Sequence, residues 1–345
     1  MRVTVLGAGI IGLTVADELI RRGHTVTVVD PHPASGASYA AAGMLSPAAE
    51  VWHGEEEILR LGTASLALWP ALAGRLGVEL RADPTLLVGY DAGDLQQVER
   101  QVSLVGGLGG GATLLDRVAV RACEPVLARV AGAALLAGEM SVDPRAVCGA
   151  LLSRIPVVSR DPGGADVTVV ATGARLPKPW TGLVRGVRGE ILRVRADDPP
   201  THTVRGWVGG EPIYLVPRGN GEVVVGATSE EHSVPPVVTA GGVHRLLTAA
   251  RALWPGLDRA ELIESTARDR PTTADGRPLI GASGVDGVLL AAGHFRHGVL
   301  LAPLTARLVA DHLDGAPVDP SVDPRRFTTG CTLQGKERHD HHAQR

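Results

Sequence analysis

The sequence predicts an α/β protein in which a mostly parallel sheet is interwoven with a second, antiparallel sheet. Residues 2–30 follow the order strand, glycine-rich turn, amphipathic helix and strand, which is typical of a βαβ unit. Two later apolar runs, residues 167–171 and 287–292, are each followed by a glycine within two residues and are predicted to be buried strands of the same sheet. Antiparallel strands with one solvated face are predicted where apolar and polar residues alternate, at residues 186–195, 212–217 and 222–226.

Helices are expected to cover these sheets. Periodic apolar residues predict helices over residues 56–76, 95–105 and 241–253, and Pro255 ends the last of them. A further helix is predicted over residues 299–313, after the third parallel strand. Because the alternating segments lie between the parallel strands in the chain, the antiparallel sheet is expected to be inserted into the parallel one.

Composition and charge indicate which kinds of molecule the protein can bind. The 345 residues are 44% hydrophobic and 21% charged, which is typical of a globular protein with a large core. The formal net charge of -3 offers no basic surface for nucleic acid or for anionic lipid. The apolar runs fall well short of the roughly 20 residues that a membrane-spanning helix needs. We therefore expect a soluble protein that acts on small molecules, without nucleic-acid or membrane partners.

Cysteine usage and the N-terminal segment favour the cytoplasm. Cys123, Cys148 and Cys331 are far apart and form no C-x-x-C pair, so neither a disulfide framework nor a metal site is expected. The first residues form a strand pattern followed by three glycines, which is not the layout of a secretion signal. The polar residues 328–345 are expected to form a loose tail.

A glycine-rich turn predicts a dinucleotide site. Gly7-x-Gly9-x-x-Gly12 follows the first strand and opens the first helix, and Asp30 lies 18 residues after Gly12. Gly7 permits the tight turn, Gly9 lets the backbone approach a pyrophosphate, and Gly12 allows close helix packing. The helix N-terminus would face the phosphates, and Asp30 would accept hydrogen bonds from ribose hydroxyls. This motif does not by itself separate FAD from NAD.

A run of small residues favours FAD. Residues 36–45, Gly-Ala-Ser-Tyr-Ala-Ala-Ala-Gly-Met-Leu, would let the backbone pass close to a bulky ring system and present amide donors to it. A nicotinamide dehydrogenase has no need of such a run.

With these motifs the sequence resembles the glycine oxidases of the D-amino-acid oxidase family of flavoproteins. The resemblance extends to about residue 315 and continues through several further motifs, among them Tyr214-x-Val216-Pro217-Arg218, Gly226-Ala227-Thr228, Arg270-Pro271-x-x-x-Asp275-Gly276 and Gly293-His294-Phe295-Arg296-x-Gly298. It implies a Rossmann-like FAD-binding domain built from residues 1–75, 141–182 and 266–327. The antiparallel, substrate-binding domain would comprise residues 76–140 and 183–265. A homo-oligomer, often a tetramer, is also implied.

The resemblance assigns the cofactor contacts. Residues 265–281 contain no cysteine of the kind that anchors flavin covalently in monomeric sarcosine oxidases, so FAD is expected to be non-covalent. The residues expected to contact it are Gly7, Gly9, Ile10, Ile11, Gly12, Asp30, Ser38, Ala41, Ala42, Gly43, Met44, Val158, Thr172, Gly173, His294, Arg296, His297, Gly298, Val299 and Leu300.

The same resemblance assigns three catalytic residues. Arg270 would grip the substrate carboxylate, since a guanidinium can hold two oxygens at fixed geometry. Tyr214 would donate its hydroxyl to the same carboxylate, and Arg296 would lie beside the flavin and the substrate. Without the resemblance, Arg270 would be interpreted as a turn residue and Tyr214 as an ordinary strand aromatic. Met44 and Ser229 are expected to line the substrate pocket.

The implied reaction is the oxidation of a small amino acid by FAD. Hydride would leave the substrate Cα for the flavin, water would hydrolyse the imine, and dioxygen would become hydrogen peroxide. Glycine is the predicted substrate, and its imine would supply thiazole formation in thiamine biosynthesis. Two alternatives stay open: an oxidase or dehydrogenase for sarcosine, other N-methyl amino acids or D-amino acids, and a flavin-binding protein without turnover.

Three features depart from the family pattern. Ser229 stands where some glycine oxidases carry a methionine, so the pocket is expected to differ in size and polarity. His297 stands where asparagine is frequent. Residues 143–172 form a short segment with room only for a strand at 156–158 and a Gly163-Gly164 turn, so the adenine contact is expected at Val157 or Val158, or is lost.

Overall fold

We describe the fold from a computed structural model, which covers residues 1–231 and 235–327. The strands are β1 Arg2–Leu6, β2 Thr25–Val29, β3 Met44–Leu45, β4 Leu80–Arg81, β5 Thr85–Gly89, β6 Thr113–Leu115, β7 Gly132–Leu136, β8 Met140–Val142, β9 Val157–Val158, β10 Val167–Val170, β11 Arg185–Arg195, β12 Thr203–Val208, β13 Glu211–Pro217, β14 Glu222–Gly226, β15 Glu230–Glu231, β16 Glu261–Thr272, β17 Leu279–Ala282 and β18 Val288–Ala292.

The α-helices of this part of the chain are α1 Ile10–Arg21, α2 Ala37–Ala40, α3 Pro47–Glu50, α4 Glu56–Leu66, α5 Trp69–Leu76, α6 Ala92–Gly107, α7 Arg117–Cys123, α8 Pro144–Leu152, α9 Ala240–Leu253 and α10 Gly298–Leu313. Short 3-10 helices occupy Pro255–Arg259, Phe295–His297 and Pro324–Phe327. Among the described residues, no helix has both the length and the apolar character needed to cross a bilayer. The tail predicted at residues 328–345, with Cys331, lies outside the described residues.

The first sheet contains the predicted βαβ unit. Its strand order is β17-β18-β10-β1-β2-β9, and β18, β10, β1, β2 and β9 run parallel while β17 is antiparallel. Val5 aligns with Val28 on one side and with Val169 on the other, and all three are buried. Helices α1 and α10 contact each other and share one hydrophobic core with this sheet. Helices pack on this sheet, and strands that are buried in a parallel sheet are rich in valine and other apolar residues. The valine-rich runs of the sequence therefore account for this sheet.

The second sheet has nine strands in the order β15-β11-β14-β13-β12-β5-β7-β6, with β16 pairing β11. The long strands β11 and β16 pair antiparallel, with Val187 opposite Arg270. Helix α9 packs on this sheet through Leu246 and Leu253, next to the fully buried Trp254. A small sheet, β3-β8-β4, completes the fold. The predicted fold class, parallel and antiparallel sheets combined in one α/β protein, is confirmed.

Two arginines connect the elements of the two large sheets. Arg218, the residue after β13, donates a hydrogen bond to the carbonyl oxygen of Ala42. Arg145 of α8 forms a double hydrogen bond with Glu264 of β16, with both N···O distances at 2.9 Å. The Arg145 guanidinium also lies 3.6 Å from the centre of the Tyr39 ring. These contacts fix the small-residue segment 36–45 between the sheets.

Two local predictions were wrong. The helix expected over residues 56–76 is two helices, because Pro70 has no backbone N–H to continue a helix and instead lies in the first turn of α5. The segment 143–172 holds more than a strand and a turn, since it begins with α8. The Asp143 side chain accepts a hydrogen bond from the Arg145 N–H at 2.9 Å, and Pro144 starts the helix. This Asp-Pro signal for a helix start was present in the sequence.

Candidate active site

Residues from both large sheets line a cavity of about 1200 Å³. This exceeds the roughly 300–1,000 Å³ of pockets for single small molecules. We name its two ends by their walls. The glycine end is formed by Gly7, Gly9, Ile10, Ile11 and Asp30. The arginine end is formed by Glu50, Arg205, Tyr214, Arg270 and Arg296.

The three motif glycines of the first turn serve two different purposes. A Cβ on Gly7 would lie 2.3 Å from the Ala171 carbonyl oxygen, and φ of Gly7 is +103°. A Cβ on Gly12 would lie 1.9 Å from the carbonyl oxygen of Gly7. Gly7 and Gly12 are therefore required by the packing of the chain itself. A Cβ on Gly9 would meet only the Ser38 hydroxyl, at 3.3 Å, so its missing side chain leaves room in the cavity.

Asp30 organises the glycine end. Its Oδ2 accepts a hydrogen bond from the Ala8 N–H at 2.7 Å, and its Oδ1 accepts one from the His32 N–H at 2.8 Å. The carboxylate thus ties the turn before α1 to the end of β2 while it lines the cavity. Since a carboxylate oxygen can accept more than one hydrogen bond, the predicted contact with a ribose stays compatible with this arrangement.

The small-residue segment forms one long wall. The Ser38 hydroxyl accepts a hydrogen bond from the Ile10 N–H at 3.0 Å, which joins this wall to the start of α1. Gly43 has φ of +77°, and a Cβ there would lie 1.9 Å from the Val142 carbonyl oxygen. The wall is therefore shaped by backbone, as the run of small residues predicts.

Arg270 lies flat against a glycine. A Cβ on Gly189 would be 2.2 Å from Nη1 of Arg270, so the guanidinium occupies the space that a side chain on β11 would fill. Nη1 donates a hydrogen bond to the Thr228 carbonyl oxygen at 3.0 Å. One nitrogen of the guanidinium is thus held by the backbone, which fixes the orientation of the group in the cavity wall.

Tyr214 is placed in the same way. A Cβ on Gly226 of β14 would lie 2.3 Å from the Tyr214 hydroxyl oxygen, so the ring covers this glycine. Burial raises the pKa of Tyr214, and the nearby positive charge of Arg270 opposes that rise. The phenol therefore stays neutral at physiological pH and can donate its proton in a hydrogen bond.

Arg296 closes the arginine end. Its Nη2 donates to the Glu50 carbonyl oxygen at 3.3 Å and lies 3.3 Å from Oε2 of Glu55. The guanidinium lies 5.5 Å from the centre of the Trp52 ring. Burial lowers the pKa of Arg296, although nearby carboxylates oppose the shift. Phe295, just before it, has φ of +48°, a conformation that costs energy in a non-glycine residue and is often found at functional sites.

Two histidines lie next to this end, and His294 lines the cavity while His297 does not. Burial lowers the pKa of His294 to about 3 and that of His297 to about 4, so both rings are neutral at pH 7. Nε2 of His294 lies 2.9 Å from the Thr305 hydroxyl. Nδ1 of His297 lies 3.6 Å from Oε2 of Glu50, which is longer than a hydrogen bond.

Sequence analysis missed Glu50 and Arg205. Glu50 is the last residue of α3, and its Oε1 accepts a hydrogen bond from Nη1 of Arg205. Burial would raise the pKa of Glu50, but the charges of Arg205 and its neighbours prevail and lower it. Arg205 lies directly opposite Tyr214 in the β12–β13 pair, so both side chains share one face of the sheet. Once Tyr214 was assigned to the site, this pairing could have identified Arg205.

Most predicted site residues line the cavity, namely Gly7, Gly9, Ile10, Ile11, Asp30, Ser38, Ala41, Ala42, Gly43, Met44, Thr172, Gly173, Tyr214, Ser229, Arg270, His294, Arg296, Gly298 and Val299. Gly12, Val158, His297 and Leu300 are not part of its lining. Val158 lies on edge strand β9, where its carbonyl oxygen accepts from the Asp30 N–H at 2.9 Å. The Leu300 carbonyl oxygen accepts from Ser65 and Trp69, and the side chain of Leu300 belongs to the core.

The model of the FAD-dependent oxidoreductase family (DAO) matches residues 2–312. The chain belongs to this family. It is similar to a Rhizobium etli protein that carries the name thiamine biosynthesis oxidoreductase ThiO, with 36% identity over 91% of this chain and 96% of the relative. It is also similar to glycine oxidase of Geobacillus kaustophilus, with 31% identity over 90% of this chain and 92% of the relative. The predicted family membership is thereby confirmed.

Structural comparison agrees with the sequence relatives. The crystal structure of glycine oxidase from Geobacillus kaustophilus superposes with a TM-score of 0.82 and 30% identity, covering 94% of this chain and 98% of the other. The cofactor of this family is FAD, and the cavity fits it. The open space at Gly9, the N-terminus of α1, whose N-cap residue is this glycine, and the backbone wall of residues 36–45 form a cradle for a dinucleotide and a ring system.

Proposed function

We propose that this protein oxidises glycine to its imine, which water hydrolyses to glyoxylate and ammonia, while dioxygen is reduced to hydrogen peroxide. The observation that carries this proposal is the Arg270 and Tyr214 pair, whose two hydrogen-bond donors converge on one end of the cavity. A planar guanidinium beside a phenol suits a single carboxylate. The similarity to ThiO and to glycine oxidase supports the same assignment and a role in thiamine biosynthesis.

Bound FAD supplies the acceptor for the two electrons of the substrate. We propose that the chain holds this cofactor non-covalently. The turn at Gly9 and the N-terminal end of α1 would face its phosphates, Asp30 would face its ribose, and the wall of residues 36–45 would contact its ring system. The first turn of α10, Gly298 and Val299, would place a helix N-terminus near the ring system, where its positive end stabilises added negative charge.

The protein's own contribution to rate would be positioning and charge. Arg270 and Tyr214 would hold the carboxylate so that the Cα–H bond has one orientation, and Arg296 would cover the substrate from the side of Trp52. Met44 and Ser229 line the cavity wall and would limit the size of the substrate side chain. We also propose a cytoplasmic homo-oligomer, which is consistent with the spacing of the cysteines and with the family resemblance.

A substrate screen tests this proposal. The purified protein should be yellow and should release peroxide with glycine, sarcosine, D-alanine or D-proline, measured by a coupled peroxidase assay. A kcat/KM that is highest for glycine supports the proposal. Preference for sarcosine or a D-amino acid would instead identify a related oxidase. Bound flavin without turnover on any of the four would favour a flavin-binding protein that is not an enzyme.

A further inference from the structure

Glu50 is a buried carboxylate at the arginine end with one oxygen engaged and the other turned toward the cavity. Its side chain is 11% exposed, and it lines the cavity wall. Oε1 accepts the hydrogen bond from Arg205. Within residues 1–231 and 235–327, Oε2 forms no hydrogen bond, and Nδ1 of His297 is 3.6 Å away. This oxygen is accessible from the cavity and has no hydrogen-bond partner in that part of the chain, so it is free to accept a hydrogen bond from a ligand there.

The charged groups at this end indicate which group of a ligand would donate to Glu50. Arg205, Arg270 and Arg296 are cations and can only donate hydrogen bonds. Glu55 lies near Arg296 and is 29% exposed, so it is the more solvated of the two carboxylates. A small amino acid that gives its carboxylate to Arg270 needs an acceptor for its amino group. Among the carboxylates at this end, Glu50 is the buried one, and its charge influences Tyr214 through the same cavity.

We propose that Glu50 binds the amino group of the substrate and that Arg205 positions the Glu50 carboxylate for this contact. The inference deepens the proposed function and rests on it. Arg205 also has an electrostatic role, because an unpaired negative charge on Glu50 would repel the substrate carboxylate. Together the two side chains would select ligands that carry both a carboxylate and a nitrogen donor, which distinguishes amino acids from simple carboxylic acids.

The test compares glycine with acetate, which has the carboxylate but no amine. Glu50→Gln removes the charged acceptor and keeps the size of the side chain. We expect KM for glycine to rise about ten- to a hundredfold, the effect of losing a hydrogen bond to a charged group. The dissociation constant of acetate, measured from the change in the flavin absorbance spectrum, should stay the same or fall, because a repulsive charge is removed. Arg205→Met should weaken both ligands.

Controls separate this inference from the proposed function. Glu56→Gln makes the same chemical change on the exposed start of α4 and should leave both constants unchanged. Glu50→Asp keeps the negative charge on a side chain that is one methylene shorter. Its KM for glycine should lie between those of the wild type and Glu50→Gln. If the wild type oxidises glycine but Glu50→Gln alters glycine and acetate equally, or neither, the inference about Glu50 is wrong. If the wild type binds acetate and oxidises none of the four amines, the proposed function is wrong.

Discussion

The two ends of the cavity are built from different parts of the polypeptide. At the glycine end, the backbone of one continuous segment makes the surface, and Gly7, Gly9 and Gly12 determine where that backbone can go. At the arginine end, charged side chains from α3, β12, β16 and the 3-10 helix before α10 meet the Tyr214 hydroxyl of β13. The backbone at the first end depends on steric exclusion, within the turn at Gly12 and against the neighbouring strand at Gly7. The second end depends on the pairing of distant strands and on charge compensation.

This difference predicts how each end responds to substitution. An added methyl group at the glycine end should act through collision: cofactor binding should weaken, and protein stability should fall with it where the methyl group meets the chain itself. Removal of a charge at the arginine end should leave cofactor binding unchanged and lower kcat/KM for the substrate.

The largest effect is expected for Gly12→Ala. The new Cβ would lie 1.9 Å from the Gly7 carbonyl oxygen, so α1 would have to move away from the turn. We expect a loss of about 2–4 kcal/mol in the free energy of unfolding and purification of the protein without flavin. Flavin content by absorbance and urea unfolding check this. Gly74→Ala is the control, since no atom lies within 4 Å of its Cβ position, and it should not destabilise the protein.

Gly9→Ala sharpens the contrast within the same motif. Its Cβ meets only the Ser38 hydroxyl, at 3.3 Å, and otherwise enters the cavity. The unfolding of the flavin-free protein should therefore stay close to that of the wild type, while the dissociation constant of FAD, measured by fluorescence titration, should rise at least tenfold. Equal unfolding losses in Gly9→Ala and Gly12→Ala would show that the two glycines do not serve different purposes.

At the arginine end, Arg270→Met should lower kcat/KM for glycine by about 100- to 1,000-fold, because a buried charged contact with the carboxylate is lost. Flavin content should not change. Arg270→Lys should recover little, since an ammonium group cannot reproduce the planar contact. Steady-state kinetics with a peroxide readout measures both variants. Unchanged kinetics in Arg270→Met would remove Arg270 from the substrate site.

The lowered pKa of His297 predicts that the stability of the protein depends on pH. Burial holds its pKa at about 4, below the usual value of 6.5, so the unfolded chain takes up a proton first as pH falls. The neutral, buried His297 ring lowers stability only when it must stay unprotonated while the unfolded chain binds a proton. The free energy of unfolding is therefore unaffected by this group above pH 6.5, and it falls by about 1.4 kcal/mol per pH unit as the pH is lowered from 6.5 to 4. His297→Asn should flatten this part of the profile. Melting temperatures between pH 5 and 7 test it, and identical profiles for both proteins would contradict it.

The smallest effect is expected for Tyr214→Phe. The phenol is neutral and shares its proposed carboxylate contact with Arg270, so its removal should cost about 1–2 kcal/mol, or about five- to thirtyfold in kcat/KM. The ring should still cover Gly226. A loss as large as that of Arg270→Met would mean that the hydroxyl carries as much of the carboxylate binding as the guanidinium.

The same contrast explains what the sequence could predict. The βαβ unit, the turn at Gly7 and the position of Asp30 follow from spacing within 30 residues, where local rules apply. Glu50 and Arg205 lie 155 positions apart and have no motif of their own, so only the pairing of β12 with β13 and the position of α3 bring them together. Arg270 and Tyr214 were assigned through family resemblance and not through any physical signal in their own segments. Arg296 also had a positional signal, because it lies between a buried strand and a helix, where ligands gather in open α/β sheets.

The contacts of Arg218 with Ala42 and of Arg145 with Glu264 have a consequence for assembly. They join the wall of residues 36–45 and α8 to strands β13 and β16, so the proposed FAD site requires both layers to be folded against each other. By mass action, saturation with FAD should then raise the unfolding temperature of the whole molecule in a single cooperative transition, and the supply of riboflavin in the cell would set how much of this chain survives proteolysis.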